Sequence, residues 1–411
     1  MSSVITRVST CDARFPLEDG AGSDAVHDID VYSYPVTYLH SDRGTCGTGI
    51  ALTLGGGNEL VCRLIEQLAT PLIGRSLEEL MAGFGEVSRS IAEHAQYRWL
   101  GPHKGMIHLA LASIVNACFD LWAKERGVPL WRLLLELTPQ QLVDLLDLSY
   151  LEDVLTPESA LEILKTAAES RDERGAILER GYPGYDTSIG WFRYSDDRVR
   201  ENIARAVDAG FTAMKLKVGS PDEERDLRRA YLVREAAGDD ARVMLDCNQQ
   251  WSLPQALRSC LKLAAMKPYW IEEPTHPDDL LAHQTLARAI SPMKLALGEH
   301  LPNRVVFKNF MQAGALSFVQ ADCTRLAGVS EFITVSLLAR RFNLPLVPHV
   351  GDMGQIHQHL VLFNHIALGH EVIFLEHIPH LRRYFARPAR VEGGVYHTPQ
   401  EPGSSSDLVL P

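Results

Sequence analysis

Cysteine is scarce in this sequence, and its spacing is irregular. The chain of 411 residues has seven cysteines, an odd number, and no two of them form a C-x-x-C pair. They are Cys11, Cys46, Cys62, Cys118, Cys247, Cys260 and Cys323. This spacing argues against a disulfide framework and against a zinc ribbon, so we expect the protein to work in a reducing cytoplasm.

Long apolar runs and an excess of positive charge are also lacking. No stretch of 18 uncharged apolar residues occurs, and the beginning of the chain, MSSVITRVSTCDARF, lacks the apolar core of a secretory signal. The 52 acidic residues outnumber the 40 lysines and arginines, which gives a net charge of −12. Such a surface repels nucleic acids and anionic membranes, and we expect a soluble protein without either partner.

The first 137 residues have the pattern of an α+β domain. Three alternating runs predict an antiparallel sheet, and helical periodicity dominates from Ser76 to Leu135. The alternating runs are VITRVSTCDARF, VYSYPVTYLHS and CGTGIALTL. We interpret residues 138–184 as a helical insertion that connects two domains, and residues 386–411 as a tail that is loose or packs against the first domain.

Residues 185–385 have the strongest internal regularity. Seven apolar runs end in a charged or polar residue, with helical segments between them and with 23 to 29 residues from one terminal residue to the next. These terminal residues are Lys217, Asp246, Glu272, Glu299, Asp322, His349 and Glu376. One βα unit has that length, and DTSIGW supplies a further strand before them, so the pattern predicts a closed parallel barrel of eight strands.

Three consecutive predicted strands end in carboxylates, namely Asp246, Glu272 and Glu299. The active sites of such barrels lie at the carboxyl ends of the strands. One carboxylate alone is typical of any solvent-exposed strand end. Three in register repel one another unless they bind a cation between them. Hard oxygen ligands of this kind suit Mg²⁺.

Lysine and histidine flank the predicted carboxylates. Lys215 and Lys217 alternate on one strand and point to the same side, and a neighbouring ammonium together with a divalent cation would lower the pKa of Lys217 and prepare it to act as a base. Asp322 ends the strand before His349 and can orient its imidazole for proton transfer. Taken alone, the two lysines are equally typical of a solvent-exposed strand end. A single histidine is more typical of a core position at which its hydrogen bonds are satisfied.

Several of these segments resemble one known family. MKLKVG, the stretch from Asp246 to Asn248, WIEEP, and the Asp and His 27 residues apart resemble the mandelate racemase branch of the enolase superfamily. WLGPHKGMIHLALAS, SYLEDVLTPESALEIL, GYPGYDTS and WIEEPTHPDD are similar to the L-fuconate dehydratase group. The likeness runs over nearly the whole chain.

The resemblance implies an α/β fold in which an α+β N-terminal capping domain covers a (β/α)7β TIM-like barrel. It implies Mg²⁺ on Asp246, Glu272 and Glu299, with catalytic Lys217 and a dyad of His349 and Asp322. It further implies substrate contacts from Lys215, Asn248, Glu376 and, in the capping loop, Gly22, Ser23, Asp24 and Tyr32. We also expect a homo-oligomer that acts on a small acid sugar.

The expected reaction is the Mg²⁺-dependent dehydration of a sugar acid, L-fuconate or a related aldonate, to a 2-keto-3-deoxy acid. Racemisation or epimerisation by the same site, a non-catalytic barrel, and a Schiff-base aldolase using Lys217 are the alternatives.

Gln250, His300 and Asp352 depart from the group's usual residues. Relative to the group's usual residues, a cation is missing at Gln250 and an anion is added at Asp352. We therefore predict a changed charge near the substrate. His357 and His359 are two apart, which is not the spacing of a helix-mounted metal pair.

Overall fold

The computed structural model describes residues 2–101 and 103–410. The N-terminal domain is a three-stranded antiparallel sheet, in the order β1-β2-β3, covered by helices. Its strands are β1 (Ile5–Pro16), β2 (Val31–Ser41) and β3 (Cys46–Ile50). Its helices are α1 (Asn58–Ala69), α2 (Leu77–Ala82), α3 (Phe84–Ala92), α4 (Gly105–Glu125) and α5 (Leu130–Glu136). The predicted helical stretch is interrupted between α3 and α4, where only a short 3-10 turn forms at Arg98–Leu100.

Helix α4 forms the core of this domain. Among the described residues it is the one helix long and apolar enough to cross a membrane by length and composition, with a mean hydropathy of 1.5. However, 89% of the apolar 18-residue stretch of this helix is buried inside the protein. It packs on β3 and α1, and its hydrophobic surface is therefore explained by tertiary contacts.

The close packing of β3 on α4 depends on glycine. A Cβ atom on Gly49 would overlap the backbone carbonyl of Ser113 and the backbone nitrogen of Ala117. Gly49→Ala should therefore lower the free energy of unfolding by about 3 kcal/mol, the upper end of the usual effect of overpacking. Urea denaturation measures this loss. Gly56→Ala is the control, because no heavy atom lies within 4 Å of the added Cβ; equal losses in both variants would contradict the prediction.

Four short helices connect the two domains: α6 (Pro139–Asp144), α7 (Pro157–Ala168), α8 (Arg171–Arg174) and α9 (Ile177–Arg180). Helices α6 and α7 begin with capping boxes at Thr138 and Thr156, in which side chain and backbone bond reciprocally. The first barrel strand begins at Tyr182, four residues before the predicted strand DTSIGW.

The barrel alternates parallel strands and helices. Its strands are β4 (Tyr182–Gly190), β5 (Ala213–Lys217), β6 (Arg242–Asp246), β7 (Ile271–Glu272), β8 (Leu295–Leu297), β9 (Phe318–Val319) and β10 (Leu375–His377). Its helices are α10 (Asp196–Asp208), α11 (Glu223–Ala237), α12 (Leu253–Leu263), α13 (Leu280–Ala289), α14 (Arg304–Gln312), α15 (Gly328–Arg341) and α16 (Gln355–Leu368). Strands β4 to β9 pair in chain order, and β10 returns to pair with β4.

The predicted strand PLVPH is reduced to one parallel bridge between Val319 and Leu346. The other predicted barrel strands are present as strands. Five consecutive barrel helices, α10 to α14, each begin at a side chain that accepts a backbone N–H of the first turn. These capping residues are Ser195, Asp222, Ser252, Asp279 and Asn303.

The tail lies against both domains. Its short hairpin of β11 (Val391–Glu392) and β12 (Val395–Tyr396) pairs antiparallel with β4. Beyond it, Ser404 donates from its backbone and its hydroxyl to Asp120 of α4, at 2.7 and 2.8 Å. These contacts tie the end of the chain to both domains.

Candidate active site

The strand alternation inside the barrel places the polar residues above an apolar layer. Tyr185, Ala213, Met244, Trp270, Ala296, Phe318, Val347, Ile373 and Phe374 form a buried hydrophobic cluster. Residues two apart on a strand face the same side. The polar side chains Lys215, Asp246, Glu272, His349 and Glu376 follow members of this cluster by two residues and therefore meet at the carboxyl end of the barrel.

The carboxylates and lysines form a buried charge network. Lys215 Nζ lies 2.7 Å from Glu272 Oε1, 2.7 Å from Glu376 Oε1 and 3.4 Å from Asp246 Oδ2. Lys217 Nζ lies 2.6 Å from Asp246 Oδ2. The side chain of Lys215 is only 1% exposed and does not line the cavity described below. Lys215 is thus an internal counter-ion of three carboxylates, where the sequence predicts a substrate contact.

The charge state of Lys217 differs from the sequence prediction. Burial lowers its pKa, but the carboxylates, Asp246 above all, outweigh burial and the neighbouring Lys215, so the pKa lies above its ordinary value. The neighbouring ammonium alone therefore does not lower the pKa of Lys217, and the predicted lowering depends on the divalent cation. The physical reason is that Asp246 lies in contact with the ammonium, whereas the repelling Lys215 is already neutralised by its own carboxylates.

His349 and Asp322 meet in the predicted dyad. Nδ1 of His349 lies 2.8 Å from Oδ2 of Asp322, and Nε2 lies 3.3 Å from Oε2 of Glu299. Burial opposes the charged imidazole, but Glu299 and then Asp322 outweigh it and raise the pKa of His349 to about 9. The imidazole is therefore in its positively charged form, protonated on both nitrogens, at neutral pH, and it presents Nε2 to the mouth of the barrel.

Asp322 has a second histidine partner that the sequence analysis did not assign to the site. His357 Nε2 lies 3.1 Å from Asp322 Oδ1, which also accepts from the backbone and hydroxyl of Thr324 at 2.8 and 2.6 Å. Burial raises the pKa of Asp322, but the two histidines reverse this and hold it well below its usual range. Asp322 is thus fixed between two imidazoles, and His357 is a positioning residue for the dyad.

Removal of the His357 contact should slow turnover without weakening substrate binding. We expect His357→Leu to lower kcat by about 10- to 100-fold, the usual cost of losing an outer partner of a catalytic group, with KM nearly unchanged. His357→Gln retains a donor and should restore part of kcat. Steady-state kinetics measure both constants.

His359→Leu is the matched control, because His359 lies on the same helix but contacts Trp131 and Ser405 instead of Asp322. A similar fall of kcat in His359→Leu would show that the loss reflects general destabilisation.

Of the oxygen ligands predicted for a metal, Asp246 and Glu272 are buried and Glu299 is 12% exposed, and the three together need positive charge. Burial and the neighbouring Asp246 and Glu376 raise the pKa of Glu272 to about 8, although Lys215 opposes this. A divalent cation favours the ionised form of such a carboxylate. Asn248 Oδ1 is buried with no hydrogen-bond partner among the described residues. This donor set of hard oxygens fits Mg²⁺.

The backbone beside these ligands is held in an uncommon conformation. Asn248, Gln249 and Glu273 have backbone φ angles of 44°, 61° and 40°, which residues other than glycine rarely adopt. Ligand atoms of Glu273, Glu299 and His300 lie within 4.8 Å of one another. Glu273 and His300 are therefore close to the predicted ligand Glu299, although imidazole suits Mg²⁺ less well than oxygen does.

A cavity of about 350 Å³ opens above the charged groups, between the barrel and the N-terminal domain. Of the residues that the sequence predicts for the site, those in its wall are Gly22, Asp24, Tyr32, Lys217, Asn248, Glu299, His349 and Glu376. Ser23 is not in the wall. Its hydroxyl donates to the carbonyl of Gly20 at 2.6 Å and accepts from the backbone of Arg193 at 3.0 Å, so that it fastens the capping loop to the barrel.

Arg325, His27 and Trp191 also line the cavity, and the sequence analysis did not select them. Arg325 Nη1 lies 3.5 Å from Glu299 Oε1, and the Trp191 ring centre lies 5.7 Å from Lys217 Nζ. Arg325 follows Asp322 by three residues in QADCTRLAG, which is the one sequence signal that could have identified it. It supplies a cation at the mouth of the barrel.

The three departures from the usual pattern lie in different environments. His300 lines the cavity, and its Nδ1 lies 3.0 Å from each Glu273 oxygen. Gln250 donates to the backbone of Asn248 at 3.3 Å. Asp352 is 3% exposed, and burial raises its pKa to about 6 against the effect of His357. The prediction that Asp352 adds an anion at the mouth is wrong, because this side chain is enclosed beside the dyad and does not reach the cavity wall.

Relatives of the chain extend over nearly its whole length. Mitochondrial enolase superfamily member 1 of Homo sapiens is 40% identical over 98% of this chain and 93% of its own length. The solved structure of that human protein superposes with a TM-score of 0.96 and covers 99% of this chain and 95% of the other. L-galactonate dehydratase of Hypocrea jecorina is 38% identical over 99% of this chain and 93% of its own length.

A racemase from Streptomyces coelicolor, solved with bound magnesium, is 25% identical with a TM-score of 0.77, and the match covers 99% of this chain and 97% of the other. Residues 198–409 match the family model described as enolase C-terminal domain-like. The matches thus cover both the barrel and the N-terminal domain. The chain belongs to the enolase superfamily.

Proposed function

We propose that the protein is a Mg²⁺-dependent dehydratase of a six-carbon sugar acid, with L-fuconate as its substrate and a 2-keto-3-deoxy acid as its product. The L-galactonate dehydratase relative supports the reaction class, since it is 38% identical over almost the whole chain. L-Fuconate is 6-deoxy-L-galactonate, so the two acids share every stereocentre. A site built for one is therefore close to a site built for the other.

Asp246, Glu272 and Glu299 are the residues that would hold Mg²⁺. When bound, the ion stabilises the negative charge that develops on the substrate carboxylate as the neighbouring carbon loses its proton. With Asp246 engaged as a ligand, Lys217 loses the charge partner that raises its pKa. Lys215 remains paired with Glu376 behind the site.

Lys217 and His349 perform the proton transfers in this proposal. Lys217 Nζ takes the proton from C2 of the substrate, and His349 Nε2 donates a proton to the departing 3-hydroxyl group, which leaves as water. Asp322 holds the Nδ1 side of His349 through the 2.8 Å hydrogen bond, so that Nε2 stays directed at the substrate. The hydrogen bond to Asp322 favours the protonated form of the His349 imidazole and so suits His349 to the role of acid.

The observation that carries the proposal is the position of Lys217 and His349 in the wall of one cavity together with Glu299. The test is incubation with L-fuconate, L-galactonate and a broad set of sugar acids in the presence of Mg²⁺, with detection of keto acid as its semicarbazone. Keto-acid formation is the expected result. An inverted carbon without keto acid would instead indicate the racemase or epimerase, and no reaction with any acid would contradict an enzymatic function of this class.

A further inference from the structure

The short segment that follows β5 fixes the end of the strand that carries Lys217. The backbone N–H of Val218 donates to the carbonyl of Asp246 at 2.8 Å. Gly219 has a φ of 98°, and a Cβ atom on it would overlap the carbonyl oxygen of Cys247. The segment therefore runs close against the end of β6, and only a residue without a side chain fits at position 219.

Asp226, near the beginning of α11, holds this segment from the other side. Its Oδ2 atom accepts the backbone N–H groups of Gly219 and Ser220, both at 2.7 Å. All three residues are buried. Because a buried N–H group without an acceptor is costly, the two hydrogen bonds keep the segment in contact with Asp226.

The same end of α11 also holds the loop that follows β4. Arg229 donates from its two Nη atoms to the carbonyls of Phe192 and Trp191, at 3.1 and 3.2 Å. Arg225 also donates to the carbonyl of Phe192, and it donates to Oδ1 of Asp226 at 3.2 Å. Asp226 is thus linked through Arg225 to the loop that carries Trp191, a residue of the cavity wall.

Lys217 needs support from its backbone once a metal occupies the site. Within residues 2–101 and 103–410, Asp246 Oδ2 is the one hydrogen-bond acceptor of Lys217 Nζ, at 2.6 Å. Asp246 is also one of the residues that would hold Mg²⁺. When Asp246 serves as a metal ligand, the direction of the Lys217 side chain depends mainly on where the backbone of β5 ends.

We propose that Asp226 is a positioning residue, which directs Lys217 at the C2 proton of the substrate. The inference rests on the proposed function, in which Lys217 is the base. Asp226 does not line the cavity, so it acts through the backbone of Gly219 and Ser220. A displacement of about 1 Å in a reacting group can cost about 10²-fold in rate. We therefore expect Asp226→Ala to lower kcat by about 10- to 100-fold, with KM nearly unchanged.

Three measurements distinguish positioning from general destabilisation. Asp226→Asn keeps an oxygen that can accept both N–H groups, and it should restore most of the lost kcat. In the His349→Asn background, exchange of the C2 proton in D₂O reports on Lys217, and Asp226→Ala should slow this exchange. In the Lys217→Ala background, Asp226→Ala should cause no further loss of kcat, because the effects of two residues that act through one another do not add.

Asp222→Ala is the matched control. Asp222 caps the same helix by accepting the backbone N–H of Arg225 at 3.1 Å, and its side chain is exposed. Its loss weakens the beginning of α11 but should leave kcat and the exchange of the C2 proton at wild-type values. If Asp226→Ala does not fold, Asp226→Ser takes its place with the same expectations, since the serine hydroxyl is too short to reach both N–H groups.

Hydrogen exchange followed by mass spectrometry tests the contact without any substrate. The peptide that contains Gly219 and Ser220 should take up deuterium faster in Asp226→Ala than in the wild type, and at the wild-type rate in Asp222→Ala. Unchanged uptake, unchanged kcat, an equal fall of kcat in Asp222→Ala, or a further loss in the Lys217→Ala background overturns the inference and leaves the proposed function standing. If the wild type dehydrates no sugar acid, the proposed function fails and the inference fails with it.

Discussion

Lys217→Ala and His349→Asn should each lower kcat by about 10² to 10⁴, the usual contribution of a general acid or base. In D₂O, His349→Asn should still exchange the proton on C2 of the substrate, while Lys217→Ala should not. The reason is that Lys217 takes this proton, whereas His349 acts on the leaving hydroxyl group. Exchange is followed by NMR of the signal next to the carboxylate.

The matched controls are Lys262→Ala and His397→Asn, which remove the same side chains from exposed positions, 51% and 44% exposed. Both should retain wild-type kcat. The reverse exchange pattern would assign the histidine as the base. Unchanged kcat in both active-site variants would defeat the proposed proton transfers altogether.

Chelation with EDTA should abolish activity, and Mg²⁺ should restore it, because three carboxylates gathered in one site require a cation before an anionic substrate can bind. Glu272→Gln should remain inactive at any Mg²⁺ concentration yet keep its fold. Glu272 lies at the carboxyl end of its strand, a neutral amide has the same shape, and Lys215 retains Glu376 and Asp246 as partners.

Thermal unfolding gives an independent measure of the same site. At a Mg²⁺ concentration 100 times its Kd, binding should stabilise the wild type by about 2.7 kcal/mol. Glu272→Gln should show no such increase, whereas Glu235→Gln, on the exposed surface of α11, should behave as the wild type does. Full activity of a metal-free sample, or a Mg²⁺-dependent shift in Glu272→Gln, would contradict the assignment of this ligand.

Several features of the site follow from sequence periodicity alone. Strands of a closed barrel end at one edge, so the regular spacing of Asp246, Glu272 and His349 already predicts that they meet. Pairing of Lys217 with Asp246, and of Asp246 with Glu272, in adjacent strands agrees with that expectation. Residues on loops have no such period, and for that reason Arg325, His27 and Trp191 were not selected.

The charge states could not be predicted in the same way. The sequence shows that Lys215 and Lys217 are two residues apart, and from this spacing we expected mutual repulsion, together with a divalent cation, to lower the pKa of Lys217. In the structure, Asp246 lies 2.6 Å from Lys217 Nζ, and this attraction outweighs the repulsion. Because electrostatic effects depend on distances of a few ångströms and on burial, residue spacing does not determine their sign.

Local periodicity and the alternation of side chains along a strand were enough to predict the α/β class, the positions of most barrel strands and the set of acidic, basic and imidazole groups at their ends. Which of these groups face the cavity could not be predicted in this way, because it depends on the packing of distant segments. Lys215 and Asp352 are enclosed, His357 supports Asp322, and the capping domain brings Tyr32 over the barrel. These relations join segments that are far apart in the chain, and packing between two domains fixes them.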